Sequence, residues 1–282
     1  MTPDQPYAGR TALVTGATGG IGLEIARALA EGGARVILPA RNREKGERVA
    51  ADIPGSTVTD LDLASLDSVR AFAARLDEPI HLCVLNAGIV LLGDRTRHVT
   101  ADGYELHWQT NLLAQAALVR GILPLLRAGR ARIAVQCSLA AAVGRLRWND
   151  LQGEQRYGAF RAYAQSKLAL GLFGLELGRR EPDLHVALCH PGVAPATAIA
   201  APIRALLPDR VVDAVVHSFG NPPRRAAESA LMALGADAAA GGFYGPRGLF
   251  QLSGHPRRLR LYRRLRDTDA ARRLGGVIDE EL

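Results

Sequence analysis

The stretch Thr15-Gly16-Ala17-Thr18-Gly19-Gly20-Ile21-Gly22 lies between a short apolar run at residues 11–15 and a helical pattern at residues 21–32. Glycine is required where a backbone turns tightly or approaches a pyrophosphate closely, and the free amides of a helix N-terminus favour phosphate charge. An ordinary tight turn between strand and helix is the alternative. Because the stretch joins the first predicted strand to the first predicted helix, it predicts a dinucleotide site.

The same alternation of short apolar runs and longer helical patterns continues along the chain. Continuous apolar runs are typical of strands covered on both faces, and repeated strand–helix units form a parallel sheet. Strands are predicted at residues 11–15, 35–39, 58–61, 80–85, 132–137, 185–189 and 243–244, and helices at 21–32, 43–52, 65–76, 101–126, 159–180 and 224–234. We predict a single Rossmann-type, doubly wound α/β domain with a parallel sheet. Its core spans about residues 9–250, and a basic C-terminal extension follows at 251–282.

The composition is that of a globular chain, since 48% of the 282 residues are hydrophobic and 22% are charged. This balance argues against general disorder, no apolar run approaches the ~20 residues that span a bilayer, and residues 1–10 show no evident signal sequence. Cys83, Cys137 and Cys189 are far apart in sequence, which argues against a disulfide framework and favours a cytoplasmic location. The seven histidines have no metal-ligand spacing, so no metal is expected.

Arginine dominates the basic residues, because Lys45 and Lys167 are the only lysines among 35 basic side chains. We interpret the formal net charge of +7 as a bias toward alanine and arginine, and no specific nucleic-acid partner is expected. Residues 255–273 carry eight arginines between apolar side chains. Such a segment can lie on an anionic membrane, but we favour a solvated helix or tail docked on the body.

The end of the second predicted strand indicates which dinucleotide fits. Sites that prefer NAD usually place an acidic residue about 20 residues beyond the glycines, where it holds the ribose 2′-hydroxyl. The segment Leu38-Pro39-Ala40-Arg41-Asn42-Arg43 contains no acid, and a guanidinium suits a 2′-phosphate. We therefore predict NADP (NADPH), with Arg41 as the primary contact and Arg43 and Lys45 as helpers.

Tyr163 and Lys167 are four residues apart in a predicted helix, so both project from one face. A cationic lysine stabilises a phenolate, which predicts a lowered pKa for Tyr163 and an acid/base usable near neutrality. In a chain that otherwise uses arginine, a lysine at position 167 indicates a need for a compact ammonium. Ser138 follows the apolar part of the fifth strand, at the edge where such sheets bind ligands, and its hydroxyl can hold a substrate carbonyl oxygen.

The order and spacing of these motifs resemble the short-chain dehydrogenase/reductase family over about residues 9–250. The resemblance includes the glycine motif, an acid that contacts the adenine, an Asn-Ala-Gly motif after the fourth strand and a Pro-Gly motif after the sixth. It implies the cofactor contacts Gly16, Thr18, Gly20, Ile21, Gly22, Arg41, Asp62, Leu63, Asn86, Ala87, Gly88, Tyr163, Lys167, Pro191, Gly192 and Val193. It also implies a catalytic tetrad of Asn111, Ser138, Tyr163 and Lys167.

Closer features resemble the branch of retinol dehydrogenases and their bacterial relatives. They are the Arg41-Asn42 pair, the insert Trp148-Asn149-Asp150-Leu151, the motif at residues 162–168 and the segment at 242–246. The resemblance implies an NADP-dependent carbonyl/alcohol oxidoreductase that forms homo-oligomers through its long helices. Two positions depart from the family pattern: Ala196, with Thr197 next to it, replaces a threonine that contacts the nicotinamide, and Cys137-Ser138 replaces a double serine.

The resemblance also implies the catalytic roles. Tyr163 exchanges a proton with the substrate oxygen, Ser138 orients the carbonyl, Lys167 supports the tyrosine and holds the nicotinamide ribose, and Asn111 holds a water that relays protons to Lys167.

The insert before Tyr163 carries an apolar set that predicts a pocket wall for a hydrophobic substrate, for example an intermediate of specialised metabolism. The set is Val143, Leu146, Trp148, Leu151, Tyr157 and Phe160. Packing of the insert against the body is an equal alternative. The competing functions are a non-redox catalyst on the same scaffold (a cyclase, isomerase or dehydratase) and a nucleotide-sensing binding protein.

Overall fold

The computed structural model describes residues 5–193 and 220–282. Its strands are β1 Thr11–Val14, β2 Arg35–Ala40, β3 Ser56–Asp60, β4 Leu82–Leu85, β5 Arg132–Gln136, β6 His185–Cys189, β7 Phe243–Pro246 and β8 Pro256–Leu259. They form one sheet in the order β3-β2-β1-β4-β5-β6-β7-β8. Each strand from β1 to β7 pairs in parallel with its neighbours in that set. The predicted doubly wound α/β fold is therefore confirmed.

Helices cover both faces of this sheet. They are α1 Gly20–Glu31, α2 Arg43–Ala50, α3 Leu66–Ala74, α4 Leu106–Trp108, α5 Ala114–Gly121, α6 Leu123–Ala128, α7 Ala159–Arg180, α8 Pro223–Leu234 and α9 Thr268–Glu281. Successive strand residues belong to opposite layers: Ala12 and Val14 pack with α1 and α8, whereas Leu13 packs with α3, α5 and α7. This two-sided burial is the reason why the strands are continuous apolar runs in the sequence.

The stretch predicted as one helix over residues 101–126 is broken into several pieces, which corrects the prediction. Glu105 caps α4 by accepting a hydrogen bond from the Trp108 amide (2.8 Å). A π-helical turn, Gln109–Leu113, separates α4 from α5. A second break at Ile122 precedes α6, whose first turn contains Pro124, a residue with no amide hydrogen to continue the ladder.

The C-terminal extension is docked on the body as predicted, but part of it is a strand rather than a helix or tail. β8 pairs antiparallel with β7 and so occupies its outer edge. α9 is capped by the Asp267 carboxylate and packs on α7, with Ala271, Leu274 and Ile278 buried. The extension therefore completes the sheet and covers one side of α7.

The cysteines are unpaired and buried. Burial raises the pKa of the Cys83 and Cys137 thiols to about 12, so neither is a ready nucleophile. Within the two described ranges, no three His, Cys, Asp or Glu side chains are grouped closely enough to hold a metal ion. None of the helices described here has both the length and the apolar character needed to cross a bilayer.

Candidate active site

The glycine turn between β1 and α1 is shaped to receive a phosphate. Gly16 and Gly20 have φ values of +70° and +57°, a region that favours glycine. A Cβ at Gly22 would lie 2.4 Å from the Gly16 carbonyl oxygen, so helix and turn meet without room for a side chain. The N-terminus of α1 has no side-chain cap and no acidic residue in its first turn. Its amides are therefore oriented to bind an anion such as a pyrophosphate.

A polar network joins this turn to the Asn86-Ala87-Gly88 motif. The Thr15 hydroxyl oxygen accepts hydrogen bonds from the amides of Asn86 and Ala87, both at 3.0 Å. The Asn86 side-chain amide donates to the Thr15 carbonyl oxygen (2.8 Å), and its Oδ1 accepts from Gln136 Nε2 (2.8 Å). Thr15 and Asn86 thus hold the ends of β1 and β4 in register with the end of β5.

Lys167 extends from α7 into this network. Its Nζ donates a hydrogen bond to the Gln136 carbonyl oxygen (3.1 Å). A Cβ at Gly88 would lie 2.9 Å from Lys167 Nζ and 3.1 Å from Asn111 Oδ1, so these two polar atoms converge on the space that glycine leaves open. Burial lowers the pKa of Lys167 to about 8, because the charged ammonium is desolvated.

Tyr163 lies one helical turn before Lys167 and is 5% exposed. Burial raises the pKa of Tyr163 above its usual value, although hydrogen bonding to Ser138 acts in the opposite direction. This corrects the expectation of a lowered pKa, because desolvation of the phenolate outweighs the favourable contact. At neutral pH Tyr163 is therefore a neutral phenol, which can donate a proton.

The phenol ring is held between its neighbours. Val90 and Ala140 pack with it, and the His107 ring meets it edge to face with the centroids 6.3 Å apart. The Leu91 amide donates to His107 Nε2 (3.2 Å), so Nδ1 carries the proton and donates to Glu105 Oε1 (2.7 Å). These hydrogen bonds fix the His107 ring that borders Tyr163.

Asn111 lies in the π-helical turn and is fully buried. Its Oδ1 accepts from the Ile89 amide (2.7 Å), and its Nδ2 donates to the Ile89 carbonyl oxygen (3.1 Å) and to Ser166 Oγ (2.9 Å). The side chain thus fastens the segment after Gly88 to α7. The role of Asn111 in a water relay stays a prediction. The Ile89 amide occupies one lone pair of Asn111 Oδ1, and the second lone pair can accept a hydrogen bond from a water.

Ser138 lies two residues after the end of β5 and is half-buried. Its backbone is extended, and its hydroxyl oxygen accepts a hydrogen bond from the Ala140 amide (3.2 Å). Of the predicted tetrad, the structure brings Ser138 to Tyr163 and Asn111 to Lys167, at the carboxyl ends of β4 and β5.

The three basic residues near the end of β2 differ in their surroundings. Arg43 Nε donates to Glu47 (2.8 Å), and its NH1 donates to Asp60 (3.3 Å). Arg41 is exposed, with no side-chain hydrogen bond or ion pair to a described residue. Lys45 Nζ lies 3.6 Å from the Cβ position of Gly19 and so overhangs the glycine turn. Arg41 and Lys45 are the more available cations.

At the end of β3, Asp62 and Leu63 lie where an adenine contact was predicted. Leu63 is buried, whereas Asp62 is half-buried. Asp62 Oδ1 accepts a hydrogen bond from the Ala64 amide (2.9 Å), and the Asp62 amide donates to Ser68 Oγ (2.9 Å). The turn thereby presents one carboxylate oxygen, Oδ2, that receives no hydrogen bond from a described residue.

The turn after β6 is tied to two other segments. Asn221 Nδ2 donates to the Pro191 carbonyl oxygen (3.1 Å), and the Val193 amide donates to the Leu252 carbonyl oxygen (2.8 Å). Gly192 has a φ of +76°. The Val193 amide is thus already engaged, which counts against a direct amide contact to a cofactor. The departure noted at Ala196 and Thr197 lies outside the described residues.

The insert before α7 packs against the body and also lines a cavity, but none of the four predicted catalytic residues lines that cavity. A pocket wall for a hydrophobic substrate therefore stays a prediction. Leu146, Trp148 and Leu151 pack against the main core. A cavity of about 370 Å³ lies beside the first turn of α7, with an apolar part formed by Val143, Leu151, Tyr157 and Phe160. Four arginines share its lining, namely Arg145, Arg147, Arg156 and Arg161. The cavity is therefore amphipathic rather than purely apolar.

Sequence reasoning missed Thr15, Gln115, Gln136 and His107 as parts of the site. Gln115 Nε2 donates to the Ala87 carbonyl oxygen (3.2 Å), and Gln136 links Asn86 to Lys167. The available signal was a polar residue inside an apolar run, as in Arg132–Gln136. A buried amide there must find partners, and a network at the sheet edge supplies them.

The amino-acid sequence is similar to a known family and to named relatives. The family model described as short chain dehydrogenase matches residues 10–206. The chain is 42% identical to the polyprenol dehydrogenase of Mus musculus over 193 residues, which cover 64% of this chain and 56% of that protein. It is 40% identical to retinol dehydrogenase 11 of Homo sapiens over 196 residues, which cover 65% and 61%. The chain thus spans less than two thirds of each of these relatives.

Solved structures are also similar. An uncharacterized protein from Mycobacterium paratuberculosis superposes with a TM-score of 0.81 at 32% identity, covering 98% of this chain and 94% of that one. The complex of Pseudomonas aeruginosa RhlG with NADP superposes with a TM-score of 0.66 at 26% identity, covering 86% and 95%. The similarity to the first of these structures thus extends over almost the whole chain, beyond the residues 10–206 that the family model matches.

Proposed function

This chain belongs to the short-chain dehydrogenase/reductase family, and from that membership we propose that it is an NADP-dependent oxidoreductase of a hydrophobic alcohol and its carbonyl compound. The observation that carries the proposal is the buried, protonated Tyr163 between Ser138 and Lys167, at the same sheet edge as the uncapped glycine turn. A site for a nicotinamide dinucleotide, a proton donor and a cation meet at this edge.

In the reducing direction Tyr163 is the acid. Its raised pKa keeps the proton on the phenol until a substrate oxygen develops negative charge beside it. The Ser138 hydroxyl donates a hydrogen bond to the same oxygen and orients the carbonyl. A bound nicotinamide supplies the hydride in this direction and accepts it in the other.

Lys167 stabilises the phenolate that remains after proton transfer. Its ammonium, held by the Gln136 carbonyl oxygen, lies one helical turn from Tyr163. We assign to Asn111 Oδ1, which converges with Lys167 on the space at Gly88, the role of holding a water through which the proton is replaced. Alcohol oxidation runs through the same groups in reverse.

The surroundings of β2 support NADP as the cofactor. Arg41 and Lys45 can meet a 2′-phosphate, whereas Arg43 is engaged with Glu47 and Asp60. The segment at residues 38–43 contains no acid that could hold a 2′-hydroxyl. One structural neighbour, RhlG of Pseudomonas aeruginosa, was solved with NADP.

The names of the relatives support a hydrophobic substrate, because polyprenol and retinol are long apolar alcohols. The cavity beside α7 is lined by Ala162 and Ala164, the chain neighbours of Tyr163, but by none of the four predicted catalytic residues. It offers apolar surface at Val143 and Phe160, and its arginines offer sites for a polar end. We therefore propose an elongated, mostly apolar alcohol or carbonyl compound as the substrate class.

Replacement of Tyr163 by phenylalanine tests the proposal. NADPH consumption is followed by absorbance over a panel of lipophilic ketones and aldehydes, with and without the wild-type protein. We expect the Tyr163→Phe variant to lose about 100- to 10,000-fold in kcat while still binding NADPH, because general acid catalysis is lost but the cofactor site remains.

Tyr104→Phe is the matched control, since Tyr104 is a partly buried tyrosine outside the cavity, whose hydroxyl donates to the Glu281 carbonyl oxygen (3.2 Å). Its turnover should stay within a few-fold of wild type. Product formed while NADPH is unchanged would refute the redox proposal and favour a cyclase, isomerase or dehydratase. Turnover by Tyr163→Phe at the wild-type rate would remove the tyrosine from the mechanism.

A further inference from the structure

Two adjacent apolar side chains, Leu249 and Phe250, extend into solvent from the connection between β7 and β8. They are 75% and 78% exposed, whereas the next most exposed large apolar side chain among the described residues, Val143, is 59% exposed. Scattered single apolar residues are normal on a surface, but a projecting pair is a candidate contact surface. Neither side chain is buried in the fold, so packing does not explain why an apolar residue stands at either position.

The backbone holds this pair outward. Phe250 and Gln251 have φ values of +50° and +62°, a region that costs free energy for side chains other than glycine. Gln251 points inward instead, where its Oε1 accepts hydrogen bonds from Tyr262 OH and His190 Nε2, both at 3.0 Å. Gln251 thus anchors the loop while its two predecessors project.

The same anchor connects the loop to the active-site edge. Burial lowers the pKa of His190 to about 4, so the ring is neutral. His190 Nδ1 accepts from the Gly192 amide (3.2 Å), while Nε2 donates to Gln251. The Leu252 carbonyl oxygen accepts from the Val193 amide (2.8 Å). The projecting pair therefore lies next to the turn that borders the proposed cofactor site.

The hairpin and the segment that follows it are rich in positive charge, and one carboxylate, that of Glu228, contacts the hairpin at His255 (2.9 Å). Between Ala238 and Arg266 the sequence has seven arginines and no lysine, aspartate or glutamate, and the remaining 28 basic residues equal the 28 acidic ones in number. This stretch alone carries a formal charge of +7, so the arginines are dense around the projecting pair. The arginines are Arg247, Arg257, Arg258, Arg260, Arg263, Arg264 and Arg266.

These arginines have no acidic partners in the described part of the chain. The ion pair of His255 with Glu228, within the stretch, and that of Arg272 with Asp269, after it, include none of the seven. Pro246 pairs with Pro256 and Gly245 with Arg257 at the base of the hairpin, so Arg247, Arg257 and Arg258 lie at the foot of the projecting pair. The two projecting apolar side chains thus lie next to arginines that form no ion pair with a residue the structure describes.

From this arrangement we propose that Leu249 and Phe250, with the arginines around them, form a docking surface for an anionic lipid bilayer. The two side chains enter the interfacial region and the guanidinium groups bind lipid phosphates. A second copy of this chain would bring the same positive charge against itself. A specific protein interface buries about 800 Å² on each partner, which two side chains do not supply. Docked in this way, the enzyme has its active-site edge close to the membrane.

Vesicle flotation with the full-length protein tests the proposal without reference to turnover. We expect wild-type protein to float with vesicles of phosphatidylcholine and phosphatidylglycerol, and to bind vesicles of phosphatidylcholine alone much more weakly. The Leu249→Ser/Phe250→Asn double variant should bind the anionic vesicles about tenfold or more weakly, because the apolar insertion is lost. Asparagine is chosen at position 250 because it tolerates a positive φ.

Arg257→Gln/Arg258→Gln should weaken the same binding by about tenfold, and added salt should weaken wild-type binding. The matched controls are Val99→Ser, an exposed apolar side chain elsewhere, and Arg48→Gln/Arg70→Gln, which removes two exposed arginines of other helices; both should bind as wild type does. Thermal unfolding verifies that each variant is folded.

Three results would overturn the proposal. One is the absence of wild-type binding to anionic vesicles. Another is unchanged binding by the folded Leu249→Ser/Phe250→Asn variant, since general attraction to arginines would then suffice. The third is binding to duplex DNA that outcompetes the vesicles, which would assign the surface to a nucleic acid.

Discussion

Lys167 is a buried cation whose only hydrogen-bond acceptor among the described residues is the Gln136 carbonyl oxygen. Its pKa falls from 10.5 to about 8 because water no longer solvates the ammonium. The unfolded chain therefore holds the proton more tightly than the folded one between pH 8 and 10.5. In that range the stability contribution of this group rises with pH, and below pH 8 its full penalty applies.

Lys167→Met removes this penalty. At pH 7 we expect the variant to be inactive yet more stable than wild type, by on the order of 3 kcal/mol, since about 1.4 kcal/mol corresponds to one pKa unit. The difference in free energy of unfolding should narrow as the pH rises from 8 toward 10, because wild-type Lys167 then loses its charge. Urea unfolding of both proteins at several pH values measures this difference in free energy. A variant less stable than wild type at pH 7 would contradict the assigned burial cost.

Arg41 and Arg43 are close in sequence but differ in the structure, because Arg43 is engaged with Glu47 and Asp60. We expect Arg41→Ala to raise KM for NADPH by roughly 10- to 100-fold, as expected for the loss of a charge-assisted contact, with little change for NADH. Arg43→Ala, the matched control, should have a smaller effect. Equal losses for NADPH and NADH in Arg41→Ala would argue against a 2′-phosphate contact. Initial rates with both cofactors give the comparison.

At the level of elements, the glycine turn and the π-helical turn differ in how visible they are in the sequence. Glycines before a helix mark a special turn directly. The π-helical turn at Gln109–Leu113 contains no such marker, because it differs from an α-helix only in which carbonyl each amide reaches. The helix predicted over residues 101–126 was therefore wrong at its start and in its continuity. By contrast, the predicted bounds of α7 and β6 are those observed.

Gly22 and Gly19 allow a test of the turn. A Cβ at Gly22 would lie 2.4 Å from Gly16 O and 2.5 Å from Asn86 Nδ2, whereas a Cβ at Gly19 would meet only the end of Lys45 at 3.6 Å. We expect Gly22→Ala to destabilise the protein by about 1–3 kcal/mol and Gly19→Ala by less than about 1 kcal/mol. Urea unfolding of the two variants measures the loss of unfolding free energy in each. Equal effects would mean that the contact of α1 with the turn is not tight.

For the whole molecule, α9 is the element that covers α7. Trp108 Nε1 donates to Glu281 Oε2 (3.1 Å) and Tyr104 OH donates to the Glu281 carbonyl oxygen (3.2 Å), so the last turn is tied to the start of α4. A helix-to-helix contact between two chains on this side of α7 would first require α9 to leave. Whether the chain forms an oligomer stays a prediction.

Leu274→Ala tests how much α9 contributes. Leu274 is fully buried against the core, so the variant should lose about 2–5 kcal/mol of unfolding free energy. The exposed Arg272→Ala on the same helix should lose less than about 1 kcal/mol. Deletion of residues 268–282 should expose the apolar side of α7 and cause self-association in sedimentation velocity. A deletion variant that stays as stable and as dispersed as the full chain would show that the covering is dispensable.

Local patterns were enough to predict the strands of the parallel sheet, the glycine turn and the pairing of Tyr163 with Lys167 on one helix face, because each is written within a few consecutive residues. Only the tertiary structure decided the rest. The network from Thr15 to Asn86 joins residues 71 positions apart, the raised pKa of Tyr163 follows from the segments that bury it, and β8 forms because the edge of β7 is open beside it. Burial and hydrogen-bond partners depend on residues that are distant in the chain, and a local sequence pattern does not include those residues.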